Sequence, residues 1–210
     1  MSREKQNILV AGANGTTGQI IIETLQQSEH YQPIAMVREE DQKQKFEQQD
    51  VKTVLADLEE DVSHAMKGID KVIFAAGSKG KNLKGVDQEG AKKLVDAALD
   101  AKVEKYVMLS SIGADNPSVS DELEDYLKAK KNADEYLMKS GLQYTIVRPG
   151  YLTNDDASHS VKLEEKLDQP GKISRADVAK TLVEVLEQDV KKNKIFELIK
   201  GDTSIEEAVR

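Results

Sequence analysis

Short apolar runs alternate along the chain with segments in which apolar residues recur at helical spacing. The runs are rich in β-branched and aliphatic residues and do not alternate strictly with polar positions, which is typical of parallel strands buried on both faces. They cover residues 7–11, 33–37, 51–55, 71–76, 105–110 and 143–147. Helical spacing covers residues 16–27, 41–48, 59–66, 87–101 and 120–139, and a last helix at about 175–188 precedes a last strand at 194–199.

This order of strands and helices predicts an α/β fold, a single Rossmann-type domain whose parallel sheet carries helices on both faces. A chain of 210 residues is within the range of one domain, so we expect that domain to cover residues 1–210. The least regular stretch, 150–172, follows the sixth predicted strand. Folds of this class bind ligands in loops at the carboxyl ends of their strands. The stretch is therefore either a lid that faces the substrate or a plain surface connection.

Composition narrows the choice of partners. Acidic residues outnumber basic ones, 38 to 30, so neither nucleic acid nor an anionic membrane is expected as the main partner. We expect a small-molecule substrate instead. Cysteine is absent and the three histidines are scattered, so we expect no metal site. The charged N-terminus precedes an apolar run too short for a signal peptide or a membrane span, which predicts a cytoplasmic protein. Composition leaves the oligomeric state open.

A glycine-rich loop joins the first strand to the first helix. It reads Gly12-Ala13-Asn14-Gly15-Thr16-Thr17-Gly18. Gly12 allows a tight turn, Gly15 lets backbone N–H groups approach a pyrophosphate, and Gly18 lets the helix pack closely on the sheet. The start of the helix supplies unpaired donors and a partial positive charge for the phosphates. In this strand–loop–helix context the loop predicts a dinucleotide site rather than a bare turn.

The spacing G-x-x-G-x-x-G, with short motifs after the later strands, resembles the short-chain dehydrogenase/reductase superfamily. More narrowly, the chain is similar to small atypical members, the NAD(P)H-binding or epimerase-like proteins, to which NmrA-like regulators and biliverdin reductase B are related. The motifs are Arg38, Ala56-Asp57-Leu58, Ala75-Ala76-Gly77, Ser110-Ser111-Ile112-Gly113, Val147-Arg148-Pro149-Gly150 and Ile173-Ser174-Arg175-Ala176-Asp177-Val178-Ala179. Their order and their placement at strand ends extend the resemblance over nearly the whole chain.

The residue after the second strand bears on the choice between NADP and NAD. NAD-specific domains usually place an acid there, whose carboxylate binds the ribose 2′-hydroxyl. Here Arg38 stands in that place, and its guanidinium can bind a 2′-phosphate through two N–H groups. NADP is therefore predicted, and NAD stays possible because Glu39 and Glu40 follow and can pair with Arg38. The resemblance further implies cofactor contacts from Asp57, Leu58, Ala75, Ala76, Gly77, Lys130 and Pro149.

Tyr126 and Lys130 form a Y-x-x-x-K pair, which places both side chains on one helix face. A neighbouring ammonium favours the ionised phenol, and the phenol can exchange a proton with a substrate oxygen while hydride moves. The resemblance places the superfamily's active pair in this helix, its catalytic serine at Ser111, and the nicotinamide ribose beside Lys130. The alternatives are a buried tyrosine beside a solvated lysine, and a serine that only ties down a loop.

Asp87 departs from the superfamily, which usually has asparagine on the helix after the fourth strand. It is either a fourth catalytic residue or a plain N-cap for a helix at 88–101. Only about sixty residues follow the sixth strand, fewer than sugar-nucleotide epimerases carry. A small carbonyl, quinone or flavin therefore fits better as substrate. The sequence predicts an NADP(H)-dependent oxidoreductase, with a non-catalytic NADP(H)-binding sensor or an epimerase-like enzyme as alternatives.

Overall fold

A computed structural model describes residues 4–78 and 80–210. Its main sheet has nine strands in the order β11-β8-β10-β6-β5-β4-β1-β2-β3, and β7 pairs with β9 in a small second sheet. The strands are β1 (Gln6–Ala11), β2 (Tyr31–Val37), β3 (Lys52–Leu55), β4 (Lys71–Phe74), β5 (Lys105–Leu109), β6 (Tyr144–Pro149), β7 (Tyr151–Thr153), β8 (Ser160–Glu164), β9 (Lys172–Ser174), β10 (Lys194–Lys200) and β11 (Thr203–Ser204). Across the main sheet, the seven strands from β3 at one edge to β10 are parallel to their neighbours. The next strand, β8, runs antiparallel to β10.

Helices cover both faces of this sheet. They are α1 (Thr16–Gln26), α2 (Glu40–Glu47), α3 (Ala91–Asp100), α4 (Glu124–Lys139), α5 (Arg175–Glu184) and α6 (Ile205–Ala208). Successive β1 side chains enter two separate cores, since Ile8 packs with α1 and α5 and Leu9 packs with α3 and α4. The predicted Rossmann-type α/β fold is confirmed. None of the helices described is both long and apolar enough to cross a membrane.

The helix predicted at 59–66 is wrong: the segment holds only a short 3₁₀ turn, Ser63–Met66. Two aspartates favour turns here. Asp57 accepts a hydrogen bond from the Glu59 N–H at 2.9 Å, and Asp61 accepts one from the Ser63 N–H at 3.0 Å. Such local bonds compete with helical ones. The apolar spacing reflects burial of Val62, Ala65 and Met66 beneath β4 and α3, not a full helix.

The helix predicted at 87–101 begins earlier and in a rarer form. Residues Leu83–Gly90 form a π-helix that continues into α3. Asn82 caps the start, where its side chain accepts a hydrogen bond from the Gly85 N–H at 2.9 Å. Asp87 is therefore inside the helical segment, and the interpretation of Asp87 as an N-cap is wrong. π-helical turns are rare in proteins, and those that occur are often found at functional sites.

The stretch 150–172 is more regular than the sequence suggests. It contains β7 and β8, and β8 extends the main sheet by pairing with β10. Its loop after β8 is held down by Lys166, whose ammonium is 2.8 Å from Asp115 and 2.8 Å from the buried Glu197 of β10. The substrate-facing role of the stretch stays a prediction.

Candidate functional site

Strand register brings the predicted site residues to one edge of the sheet. Ala11, the last residue of β1, is level with Met36 of β2 and Phe74 of β4. Leu109, which ends β5, is level with Val147 of β6. The segments that follow these strands therefore lie side by side at the carboxyl edge, where open α/β sheets bind ligands. Along this edge most of the predicted cofactor residues follow β3, β2, β1 and β4, Pro149 ends β6, and the predicted catalytic residues, Lys130 among them, lie beyond β4 and β5.

The glycine loop is shaped for a close approach of another molecule to its backbone. Gly12 has φ +85°, and a Cβ there would lie 2.6 Å from the Ala76 backbone. At Gly18 a Cβ would lie 2.1 Å from the Gly12 carbonyl oxygen, so only glycine allows α1 to meet the loop. Gly15 is the N-cap of α1, and the first turn contains no acid. No acidic side chain of that turn therefore opposes the binding of an anion at the first N–H groups of α1, and a pyrophosphate fits such a site.

The remaining loop positions divide between packing and exposure. Ala13 and Thr17 are buried, whereas Asn14 and Thr16 are exposed at the mouth of the loop. Gly15 has φ −75°, which other residues adopt freely, and a Cβ there would meet only the Gly12 carbonyl oxygen, at 3.2 Å. A side chain at position 15 therefore requires the Gly12 carbonyl to shift by a few tenths of an ångström, a far smaller demand on the fold than one at Gly12 or Gly18.

Gly15→Val tests this directly. We expect the variant to fold and to bind NADPH on the order of 100-fold more weakly, because its side chain keeps the phosphates from backbone donors whose charge-assisted bonds are worth about 1.5–3 kcal/mol each. Gly15→Ala, with one methyl group, should lose less. Binding is measured by NADPH fluorescence and folding by circular dichroism. A folded Gly15→Val protein with parental affinity contradicts the assignment of the loop.

Arg38 lies just beyond β2, with its side chain 61% exposed and its Nε atom 3.5 Å from a Glu39 oxygen. Met36 of β2 is level with Ala11 at the end of β1, so Arg38 and the glycine loop follow neighbouring strands at the same edge of the sheet. The guanidinium has only a weak surface ion pair to release. Asp57, beyond β3, uses its carboxylate to accept the Glu59 N–H.

The other predicted cofactor residues line the same edge with different exposure. Leu58 is buried, and a Cβ on Gly90 would come within 2.7 Å of it, so it packs beneath the start of α3. Ala76 and Pro149 are also buried, Ala75 is half-buried, and Gly77 is exposed. Of this set, Gly77 presents the most open backbone. The cofactor contacts predicted for all of these residues stay predictions.

The Y-x-x-x-K pair lies on α4 as predicted, but Lys130 is enclosed rather than solvated. Its side chain is 5% exposed, and its ammonium is 3.6 Å from a carboxylate oxygen of Asp87, which is 2% exposed. The ammonium also lies 5.6 Å from the centre of the Tyr126 ring and 6.0 Å from that of Phe74. Tyr126 itself is half-buried. The structure therefore joins Tyr126, Lys130 and Asp87, three of the four predicted catalytic residues.

Asp87 also anchors the loop after β4, because its other oxygen accepts the Ser78 N–H at 2.9 Å. One carboxylate thus links α4, the π-helix and the end of β4. Ser111, the fourth predicted residue, follows β5 and is half-buried, and its hydroxyl donates to the Ile112 carbonyl at 3.2 Å. That bond is long, and the hydroxyl can exchange it for a substrate oxygen.

A second buried ion pair, between Asp134 of α4 and Arg148 of β6, is not among the residues predicted from the sequence. Asp134 is fully buried, and its Oδ2 accepts hydrogen bonds from the Ser110 hydroxyl at 2.9 Å and from Arg148 Nε and Nη2 at 3.0 and 2.8 Å. Burial raises the pKa of Asp134, and the Arg148 charge opposes that shift. A signal was present, since Lys130 and Asp134 interrupt the stripe of apolar positions that α4 turns to the core.

Comparison with known proteins identifies the family. Residues 12–189 match the NAD(P)H-binding family model, and the chain belongs to that family. It is therefore an NAD(P)H-binding protein with a Rossmann fold, and the resemblance to atypical short-chain dehydrogenases/reductases is confirmed. Relatives of known sequence and structure carry epimerase and oxidoreductase names.

Three relatives illustrate the range. YhfK of Bacillus subtilis (strain 168), described as an uncharacterized sugar epimerase, is 40% identical, with 97% of this chain and 98% of YhfK covered. A candidate NAD-dependent epimerase/dehydratase of Bacillus halodurans has a TM-score of 0.93 at 36% identity, over 97% of this chain and 98% of that one. The oxidoreductase YlbE of Lactococcus lactis has a TM-score of 0.87 at 32% identity, over 97% and 95%.

Proposed function

We propose that the protein is an NADPH-dependent reductase of a small carbonyl, quinone or flavin-like substrate. The observation that carries this proposal is the half-buried Tyr126 above a buried Lys130–Asp87 pair, at the sheet edge that also holds the glycine loop. The Lactococcus relative is described as an oxidoreductase, and the similarity covers almost the full length of both chains. It supports the same reaction class.

Each residue has a defined task in this proposal. The glycine loop and the start of α1 bind the pyrophosphate, and Arg38 binds the 2′-phosphate. When bound, the reduced nicotinamide supplies the hydride. Tyr126 donates the proton that the substrate oxygen gains, and Ser111 orients that oxygen through a hydrogen bond. Lys130 places a positive charge beside the phenol and contacts the nicotinamide ribose.

A screen of NADPH oxidation against quinones, aldehydes and flavins tests the proposal. The expected result is NADPH loss that depends on both the protein and one of these electrophiles. If the protein binds NADPH but none of the three classes gives turnover, the reductase assignment is withdrawn and the cofactor-binding statement alone remains. That outcome would favour the sensor, which has no turnover.

An epimerase is the second candidate, because the relative with 40% identity carries a sugar epimerase name. Such an enzyme would take a hydride from its substrate and return it to the oxidised intermediate, so it consumes no cofactor. The described residues beyond β6 form β7 to β11, α5 and α6, and most of them extend the main sheet or pack against it, so few of them are left to enclose a sugar nucleotide. Interconversion of sugar nucleotides with no net change in NADPH would select the epimerase over the reductase.

Arg38→Asp tests the cofactor preference. We expect NADPH affinity to fall by about 1–3 kcal/mol, the scale of a hydrogen bond to an ionised group, because the variant replaces a phosphate ligand with a like charge. NADH affinity should fall much less. Glu39→Gln is the matched control, since it removes the acid beside Arg38 and should leave NADPH binding intact. Titration calorimetry that finds equal parental affinities for NADPH and NADH contradicts the preference.

A further inference from the structure

Asp134 is a buried charge that the proposed chemistry does not use. Its Oδ2 is saturated by Ser110 and Arg148, while its Oδ1 has no hydrogen-bond partner among the described residues. Burying a carboxylate with one free oxygen is costly. Well-packed apolar residues of similar volume are often as stable as such an ion pair, or more so. Stability alone therefore does not account for this arrangement.

The bonds of Asp134 join α4 to two strand ends at the site. Ser110 follows β5 and directly precedes Ser111, and its N–H donates to the Val147 carbonyl at 2.8 Å. Arg148 lies on β6 beside Pro149, whose carbonyl accepts the Ile112 N–H at 3.1 Å. A shift of Asp134 relative to these strands therefore changes where α4 stands relative to Ser111.

Along α4 the charged positions are regularly spaced. Lys130 is one turn after Tyr126, and Asp134 is one turn further, so each step is about 6 Å along the axis. Lys130 is paired across to Asp87, and Asp134 is paired to β5 and β6. Ion pairs at two levels of a helix fix its rotation about the axis and its translation along it. Apolar packing is non-directional and leaves both freer.

We propose that Asp134 is a positioning residue for the reaction: its bonds to Ser110 and Arg148 hold α4 so that the Tyr126 hydroxyl and the Ser111 hydroxyl meet one substrate oxygen. This proposal rests on the proposed reductase function. Asp134 contacts neither substrate nor cofactor and acts only through the placement of α4. Displacements of about 1 Å can lower a rate on the order of 100-fold. A gain in rate of that size accounts for the cost of burying the Asp134 charge.

The test removes the network without leaving an unpaired group. In the triple variant Ser110→Ala, Asp134→Leu, Arg148→Met, no buried polar partner is orphaned, so the protein is expected to fold with near-parental Tm. A second variant, Asp134→Glu, keeps the charge and lengthens the side chain by one methylene. For both we expect kcat to fall on the order of 10- to 100-fold at temperatures below Tm, with a much smaller change in NADPH Kd, since the proposed pyrophosphate and 2′-phosphate contacts lie off α4.

The outcomes distinguish a failure of the positioning role from a failure of the proposed reductase function. A folded triple variant with parental kcat overturns the positioning role, because a purely structural network predicts normal turnover once folding is intact. If the parent protein turns over none of the electrophiles, the reductase proposal fails by itself. Crystal structures of the parent and the triple variant then decide the placement claim: a shift of α4 relative to β5 of about 1 Å supports it, and an unmoved α4 overturns it.

Discussion

Tyr126→Phe should lower turnover by roughly 10²- to 10⁴-fold, the range for a positioned general acid. The change removes one hydroxyl, while the half-buried ring and its contact with the Lys130 ammonium remain. Stability and NADPH affinity should therefore stay close to parental values, since the proposed phosphate site lies beyond β1 and β2. The measurement is steady-state NADPH oxidation with the best electrophile from the screen, beside an NADPH titration.

The same helix supplies a matched control. Tyr136 is also on α4, and its exposed hydroxyl donates to Asp96 at 2.7 Å, away from the sheet edge. Tyr136→Phe should leave turnover unchanged. If Tyr126→Phe keeps parental turnover, another group donates the proton and Tyr126 is only part of the packing.

Lys130→Met should lower the free energy of unfolding by about 3–5 kcal/mol, the cost of leaving one member of a buried ion pair without its partner. The uncompensated group is Asp87, which would keep the Ser78 N–H as a hydrogen-bond donor but lose its cation. In a domain of this size Tm should fall by roughly 6–20 °C. Chemical denaturation and thermal melting measure both quantities.

Two further variants separate the stability of this pair from cofactor binding. Lys128→Met removes an exposed lysine of α4, whose partner Glu124 is one turn away, and should change stability by less than about 0.5 kcal/mol. The double variant Asp87→Leu, Lys130→Met should regain part of the lost stability, because no charge is left unpaired while the Ser78 N–H loses its acceptor. If its NADPH affinity stays low after stability returns, Lys130 contacts the ribose; if affinity returns as well, the lysine serves the fold alone. A Lys130→Met protein as stable as Lys128→Met contradicts the pairing.

Features carried by contiguous residues could be predicted from the sequence. The first strand and the glycine loop are one such unit, because burial on both faces demands an unbroken apolar run and the close contacts of Gly12 and Gly18 permit no side chain. Tyr126 and Lys130 are another, because four residues make one helical turn. These predictions needed only local geometry, and the structure places the residues accordingly.

Features that depend on distant partners could not be predicted. Arg148 entered the sequence analysis only as part of a motif, and nothing local shows that it pairs with Asp134 of a preceding helix. The sequence predicts Lys130 in solvent or against the ribose, whereas in the structure Asp87 encloses it. In each case the burial of a charge is decided by a residue on another element, which a periodic pattern does not identify.

The π-helix at Leu83–Gly90 sets a strict length for the chain between β4 and α3. An α-helix turns about 100° per residue, so deleting one residue here would let the segment relax to α-helical form and rotate Asp87 away from Lys130. Insertions in the exposed part of the loop after β8, residues 168–170, lie on the surface and cost little by comparison. In chains that share this fold, the number of residues between β4 and α3 should therefore vary less than the loop after β8, and a change in it should mark proteins that have abandoned the buried pair.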